Sequence, residues 1–143
     1  MANDDYTAEL DEIKATAVPE NARLDVLPKF FGMRFMPVGE RVIYSWMGAL
    51  CSSYDGGLWN FYELSNGGFY MSPAGVEKLV IEVRNNGYTG TMSADAAGIT
   101  ACLYAFNQLA NQTAQPHIID LYYKLREYAL RHFECTEILS AID

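Results

Sequence analysis

The residues in this chain able to do chemistry are few and scattered: two histidines, His117 and His132, and three cysteines, Cys51, Cys102 and Cys135. His132-x-x-Cys135 could place two metal ligands on one helical face. A structural zinc site normally takes about four ligands, and no second Cys/His pair accompanies this one. The competing role for His132 is a surface histidine beside a helix C-terminus, where a cation suits the dipole. Cys51 with His117 would make a nucleophile pair only if the fold joined them, and neither a nucleophile elbow nor an oxyanion loop stands beside either. Glycine pairs at 56–57 and 67–68 invite a phosphate-cradle reading. Such loops precede a helix and usually carry a Lys or Arg, whereas both pairs here precede strand-like runs and residues 54–77 contain no basic side chain. They read as turns. Asp55, Glu63 and Asp95 are acids near predicted strands; capping accounts for Asp55 and Asp95, while Glu63 stands out among aromatic neighbours.

The elements that must position these groups centre on residues 54–71. Leu58-Trp59-Asn60-Phe61-Tyr62-Glu63-Leu64 and Phe69-Tyr70-Met71 are aromatic-rich runs separated by Ser65-Asn66-Gly67-Gly68, a β-hairpin signature in which glycine supplies positive φ. Lys78–Arg84 and Tyr88–Met92, joined at Asn85-Asn86-Gly87, repeat the pattern, and short turns permit only antiparallel pairing. A four-stranded meander is the simplest result. Val42, Ile43, Trp46, Met47, Leu50 and Cys51 recur at helical spacing, as do Ile99, Cys102, Leu103, Phe106 and Leu109 after a cap at Ser93, and Ile118, Leu121, Tyr122, Leu125 and Tyr128 after Pro116. Leu10, Ile13 and Ala17 predict a short N-terminal helix ended by Pro19, and residues 19–39 read as a loop pinned by Phe30 and Phe31, with room for a turn of helix at Pro28-Lys29-Phe30-Phe31 closed by Gly32. The expected architecture is a single α+β domain. It has an antiparallel sheet of three to four strands (about 58–64, 68–72, 78–84, 88–92) flanked by four or five helices (about 7–18, 39–53, 94–112, 116–132, 134–141).

Composition narrows the function classes. A chain of 143 residues, half of them hydrophobic, can bury a core without staples, and its three widely spaced cysteines read as buried or semi-buried thiols, not a disulfide framework. No apolar run reaches the ~18 residues of a membrane helix, and the acidic start Met1-Ala2-Asn3-Asp4-Asp5 is unlike a signal peptide, so a cytoplasmic location is expected. The formal net charge is −8, of which −5 lies before residue 26, making the charge an N-terminal feature. It argues against the basic footprint of a nucleic-acid binder. The aromatics Trp46, Trp59, Phe61, Tyr62, Phe69 and Tyr70 could stack on bases, but stacking platforms come with basic grooves, and core packing is their simpler role.

Several of these stretches resemble the ArdB/KlcA antirestriction family: Tyr44-Ser45-Trp46-Met47, the whole run Tyr54–Met71, Ser93-Ala94-Asp95-Ala96-Ala97-Gly98-Ile99, and the terminal Ala141-Ile142-Asp143. The similarity runs from about Leu24 to the last residue, leaving residues 1–23 as an acidic segment outside it and 24–143 as one antirestriction-type domain. The resemblance implies a small cytoplasmic protein of mobile DNA that protects incoming unmodified DNA from type I restriction–modification enzymes. It implies neither catalytic activity nor cofactor or metal. Some antirestriction proteins mimic DNA. A globule of this size is about 40 Å across, and B-DNA of that length carries about 24 charges. A net charge of −8 confined mostly to one end falls well short, so the expectation is protein–protein interference with a type I enzyme by a monomer or weak dimer, without stable nucleic-acid binding. The candidate contact residues are Glu63, Asn66, Asp95 and Asp143, polar or acidic members of the matching motifs that folding does not obviously need. The competing class is a small hydrolase or ligand-binding enzyme using Glu63 with a histidine or cysteine, and a third is an adaptor unconnected with restriction.

Overall fold

The computed structural model describes residues 12–143. Their elements, in order, are β1 (Ala15–Ala17), a 3-10 turn (Glu20–Asp25), α1 (Val26–Phe31), α2 (Met36–Leu50), β2 (Trp59–Leu64), β3 (Phe69–Pro73), β4 (Lys78–Val83), β5 (Tyr88–Ser93), α3 (Ala94–Thr113), α4 (Pro116–Leu130) and α5 (Cys135–Ile142). The predicted hairpins form as expected, β2 against β3 with Tyr62 opposite Tyr70, and β4 against β5 with Ile81 opposite Gly90. In the first turn Gly67 takes φ +91° and the Asn66 side chain accepts from the Gly68 amide at 3.1 Å.

The single meander does not form. The strands divide into a three-stranded sheet, β1-β2-β3, and a separate β4-β5 ribbon, so β3 never pairs with β4. Helix α3 occupies the edge that β4 would have used. The Leu64 amide bonds the Gly68 carbonyl, and antiparallel alternation then leaves the Met71 carbonyl pointing out of the sheet. That carbonyl faces Gly98, where an added Cβ would lie 2.4 Å from it, and receives Cys102 Sγ at 3.7 Å. A helix laid along a strand edge removes that edge from further pairing.

The N-terminal helix expected over 7–18 is also corrected where it can be seen: Ala15–Ala17 is extended and pairs antiparallel with β2, Thr16 opposite Glu63. Residues 7–11 of that expectation lie outside the described residues. The apolar spacing was shared by both readings, and pairing with the open edge of β2 outweighed weak propensity in a segment short of a stable helix. The segment 19–39 is more ordered than a loop: the helical turn expected at Pro28–Phe31 is there, lengthened to Val26–Phe31 and closed by Gly32, with a 3-10 turn before it. Phe31 at the end of α1 is fully buried, edge-on to Phe69 and Phe106, and Phe30 stacks on Phe69 at 4.6 Å. Helix α2 starts three residues earlier than expected because Pro37 falls in its first turn, where a missing N–H costs nothing. Ser93 caps α3, accepting from the Ala96 amide at 3.0 Å, and Pro116 opens α4. The core lies where α3, whose Ile99, Leu103, Phe106 and Leu109 are fully buried, meets β3, α2 and α4.

Candidate functional site

Strand β3 and the ends of α3, α4 and α5 bring together a polar cluster that no sequence spacing announces. Tyr70, buried on β3, donates to Asp95 Oδ1 at 2.6 Å, and Asp95 Oδ2 receives His132 Nε2 at 2.8 Å. His132 Nδ1 accepts from the Glu134 amide at 3.0 Å, which places the ring proton on Nε2 and makes that nitrogen the donor to Asp95. The Glu134 carboxylate turns back to the Ser93 amide and hydroxyl, fastening the N-terminus of α3 to the start of α5. Tyr62, Tyr70 and Tyr128 form a stack, with centroid spacings of 4.8 and 5.7 Å, and exposed Phe133 stacks on His132 at 4.8 Å. An open cleft of about 450 Å³ lies over this cluster, lined by Asp95, Tyr128, Arg131, His132 and Phe133 with Glu12 and Ile13.

Burial raises the Tyr70 phenol far above the usual tyrosine range, and the hydrogen bond to Asp95 adds to it. Tyr44 is pushed up to about 12, mainly by burial with Glu40 nearby, and Tyr88 to about 12 by burial and its hydrogen bond to Glu137. Burial likewise pushes the Cys102 thiol up to about 12. Each of these groups holds its proton in the folded state at a pH where the unfolded chain, with ordinary values of 10.0 and 9.0, has lost it. Their stabilisation is therefore complete below about pH 9 and lost as pH rises toward 12. The midpoint of urea unfolding is expected to fall steadily between pH 9 and pH 11, with no such loss between pH 7 and pH 8.5.

The four residues expected to make a partner contact are held in different ways. Glu63 pairs with Lys29 at 2.8 Å on the exposed side of β2. Asn66 is used at both ends of its amide: Oδ1 accepts within the turn and Nδ2 donates to the Lys124 carbonyl of α4 at 2.9 Å. Asp95 lies in the cluster above. Asp143 is exposed at the end of α5, where Tyr104 and Asn86 donate to the Ala141 carbonyl at 2.6 and 2.9 Å. The terminal Ala141-Ile142-Asp143 thus has a structural reason that sequence reading missed: Ala141 is fully buried and its carbonyl is held by two side chains. The hairpin lacks basic residues of its own, but the fold brings Lys29 to Glu63 and Lys124 to the Gly67-Gly68 turn.

His117 and Cys51, weighed as a nucleophile pair, are held by different partners. His117 bonds the Phe31 carbonyl at 2.9 Å, while Cys51 lies at the end of α2 with its Sγ 3.3 Å from Ser53 Oγ. Both ring nitrogens of His132 are engaged, and among the described residues no three His, Cys, Asp or Glu side chains gather as metal ligands. His132 is not the surface histidine expected: it is buried at the end of α4 and bonded to Asp95. The cleft beside Glu63, of about 390 Å³, is lined by residues 16–19 with Ala22, Leu64 and Ser65, and by neither a histidine nor a cysteine.

Fold and site together define a small α+β protein whose helix ends are locked by carboxylate hydrogen bonds, with open clefts beside them. The antirestriction protein family matches residues 52–143. The antirestriction protein KlcA of Escherichia coli is 47% identical over 135 residues, covering 92% of this chain and 95% of KlcA. The uncharacterized protein YafX of Escherichia coli strain K12 is 42% identical over 137 residues, covering 92% and 89%. A solved chain 47% identical to this one superposes with a TM-score of 0.82, covering 92% of this chain and 95% of its own length. It comes from work on the KlcA and ArdB proteins, described as having a novel fold and antirestriction activity against type I DNA restriction systems in vivo but not in vitro. The chain belongs to the antirestriction protein family.

Proposed function

We propose that this protein alleviates type I restriction of incoming unmodified DNA, and that it works in the cytoplasm through contact with the restriction enzyme, without imitating DNA and without catalysis. The observation that carries the mechanism is the small charge, a net −8 against about 24 on B-DNA as long as the globule is wide. A DNA mimic must present its acids outward at phosphate spacing. Asp95, Glu134 and Glu137 are not so presented: they are turned to Tyr70 and His132, to Ser93 and to Tyr88. Activity in vivo but not in vitro, described for the KlcA and ArdB proteins, fits interference with a step that purified components do not reproduce. The contact falls on Glu63 and Asp143, which stand at the surface; Asn66 and Asp95 act as positioning residues behind it.

The test is plating efficiency of unmodified phage on a type I restricting host, with and without the protein. Wild type is expected to restore plating. Glu63→Ala, and a form lacking Asp143, are expected to remain folded and soluble yet lose at least about tenfold of that restoration. Failure of the wild type against several type I systems would remove the antirestriction reading, and salt-sensitive competition with DNA for the enzyme would remove the contact mechanism.

A further inference from the structure

The last turn of α5 is held by two other parts of the molecule. A helix leaves its final carbonyls without intrahelical partners. In α5 the Leu139 carbonyl accepts the Asp143 amide at 2.9 Å, and side chains from elsewhere claim the next two carbonyls. Asn86 Nδ2, on the β4–β5 turn, donates to the Ala141 carbonyl at 2.9 Å and reaches the Ser140 carbonyl at 3.4 Å. The Tyr104 hydroxyl of α3 donates to the same Ala141 carbonyl at 2.6 Å. Both donors are themselves aimed. Asn86 Oδ1 accepts the Tyr88 amide at 2.9 Å, which fixes the orientation of the side-chain amide and turns Nδ2 to α5. The Tyr104 ring stacks on Trp46 of α2 at 4.5 Å, and Trp46 Nε1 is tied to Gln108 at 2.8 Å. Burial raises the Tyr104 phenol, and the nearby Asp143 carboxylate adds to it. The body of α5 has its own anchors: Ile138 and Ala141 are fully buried, and Glu134 and Glu137 are bonded to Ser93 and Tyr88.

We propose that Tyr104 and Asn86 are positioning residues for Asp143, fixing the direction in which its carboxylate leaves α5 toward the restriction enzyme. This role rests on the reading of Asp143 as a contact residue, and extends it from one exposed carboxylate to the elements that hold it still. Tyr104 and Asn86 act on carbonyls two and three residues before Asp143, so their effect falls on the last turn and not on the body of the helix. A helix end that is not tied down frays, and a mobile carboxylate loses conformational freedom when a partner orders it. Two donors from different elements on one carbonyl fix both its position and its direction, where one would leave a hinge. The last turn is therefore ordered before any partner arrives, and that cost of binding is removed.

The experiment compares wild type, Tyr104→Phe, Asn86→Asp, the two changes together and the form lacking Asp143 in the phage-plating assay, at matched amounts of soluble protein. Tyr104→Phe keeps the ring on Trp46 and removes the hydroxyl. Asn86→Asp keeps the Oδ1 acceptor for the Tyr88 amide and removes the Nδ2 donor. In NMR relaxation the Asp143 amide of the double variant is expected to fall from an order parameter of about 0.85 to below about 0.6, while the amides of α3 keep theirs. Phage protection is expected to fall at least about fivefold with it. If the double variant folds poorly, Tyr104→Phe alone carries the test, with a smaller loss in both measurements. Three outcomes overturn the proposal: the Asp143 amide stays ordered in every variant, protection persists in full once that amide is mobile, or protection falls only in proportion to the unfolded fraction read from urea unfolding. The plating result of the form lacking Asp143 keeps the two readings apart. If that form protects as well as wild type, Asp143 is not the contact and the positioning role falls with it. If that form fails while a mobile Asp143 still protects, the positioning role alone is lost.

Discussion

Gly98→Ala is expected to destabilise the protein by about 3 kcal/mol, lowering the melting temperature by about 10 °C. The added Cβ would stand 2.4 Å from the Met71 carbonyl oxygen, 2.5 Å from Ser72 Cβ and 2.6 Å from Ser72 Cα. Two of those three atoms are backbone, so no rotamer change relieves the clash; α3 must move off β3. Movement there is costly because Ala97, Ile99, Ala101 and Cys102 on the same helix are fully buried. Helix propensity works the other way, since alanine is favoured over glycine in a helix interior by about 1 kcal/mol. Gly48 provides the control. It sits in α2 with nothing within 4 Å of an added Cβ, so Gly48→Ala meets only the propensity term and is expected to stabilise by up to about 1 kcal/mol. Opposite signs for one chemical change separate packing from propensity. Equal effects in urea unfolding would show that α3 does not rest on the Met71 carbonyl.

Gly98 also marks the boundary between what the sequence disclosed and what it withheld. Its neighbours Ala96, Ala97 and Ala101 are small enough for a close approach, and local chemistry placed the Ser93 cap, the Asn66-Gly67 turn and the Pro116 helix start, all of which the structure contains. Those features depend on residues within four positions of one another. The object that approaches Gly98 is the outward edge of β3, and nothing local says that a helix will claim it before β4 does. The same limit explains β1: Ile13 and Ala17 fit a helical period, but an open β2 edge more than forty residues away decided the matter. It explains Asp95 most fully. Its position near a helix N-terminus was legible, while its partners Tyr70 and His132 lie 25 and 37 residues away, so a capping role was foreseen and the hydrogen-bond cluster was not.

That cluster carries the second large effect. His132→Ala is expected to cost about 3 kcal/mol in urea unfolding. The ring is 3% exposed and serves two partners at once, donating to Asp95 from Nε2 and accepting the Glu134 amide at Nδ1. Its removal leaves an amide without an acceptor and a carboxylate short of a donor, and opens a cavity between Tyr128 and Phe133, whose rings lie 6.0 and 4.8 Å from the imidazole. Two conservative changes divide the loss. His132→Asn can return an acceptor to the Glu134 amide, and His132→Gln can return a donor to Asp95, so each is expected to recover part of the stability and neither all of it. A double-mutant cycle of His132→Ala with Asp95→Asn should give a coupling of about 1–3 kcal/mol, as expected for groups in one hydrogen-bond network. Coupling near zero would mean that the two side chains touch without supporting each other. The same variants decide between the two roles open to Asp95. As a positioning residue, Asp95→Asn reduces phage protection only in proportion to folded protein, and lowering the growth temperature restores it. A loss of protection that persists in fully folded Asp95→Asn would instead place its carboxylate in the contact with the restriction enzyme.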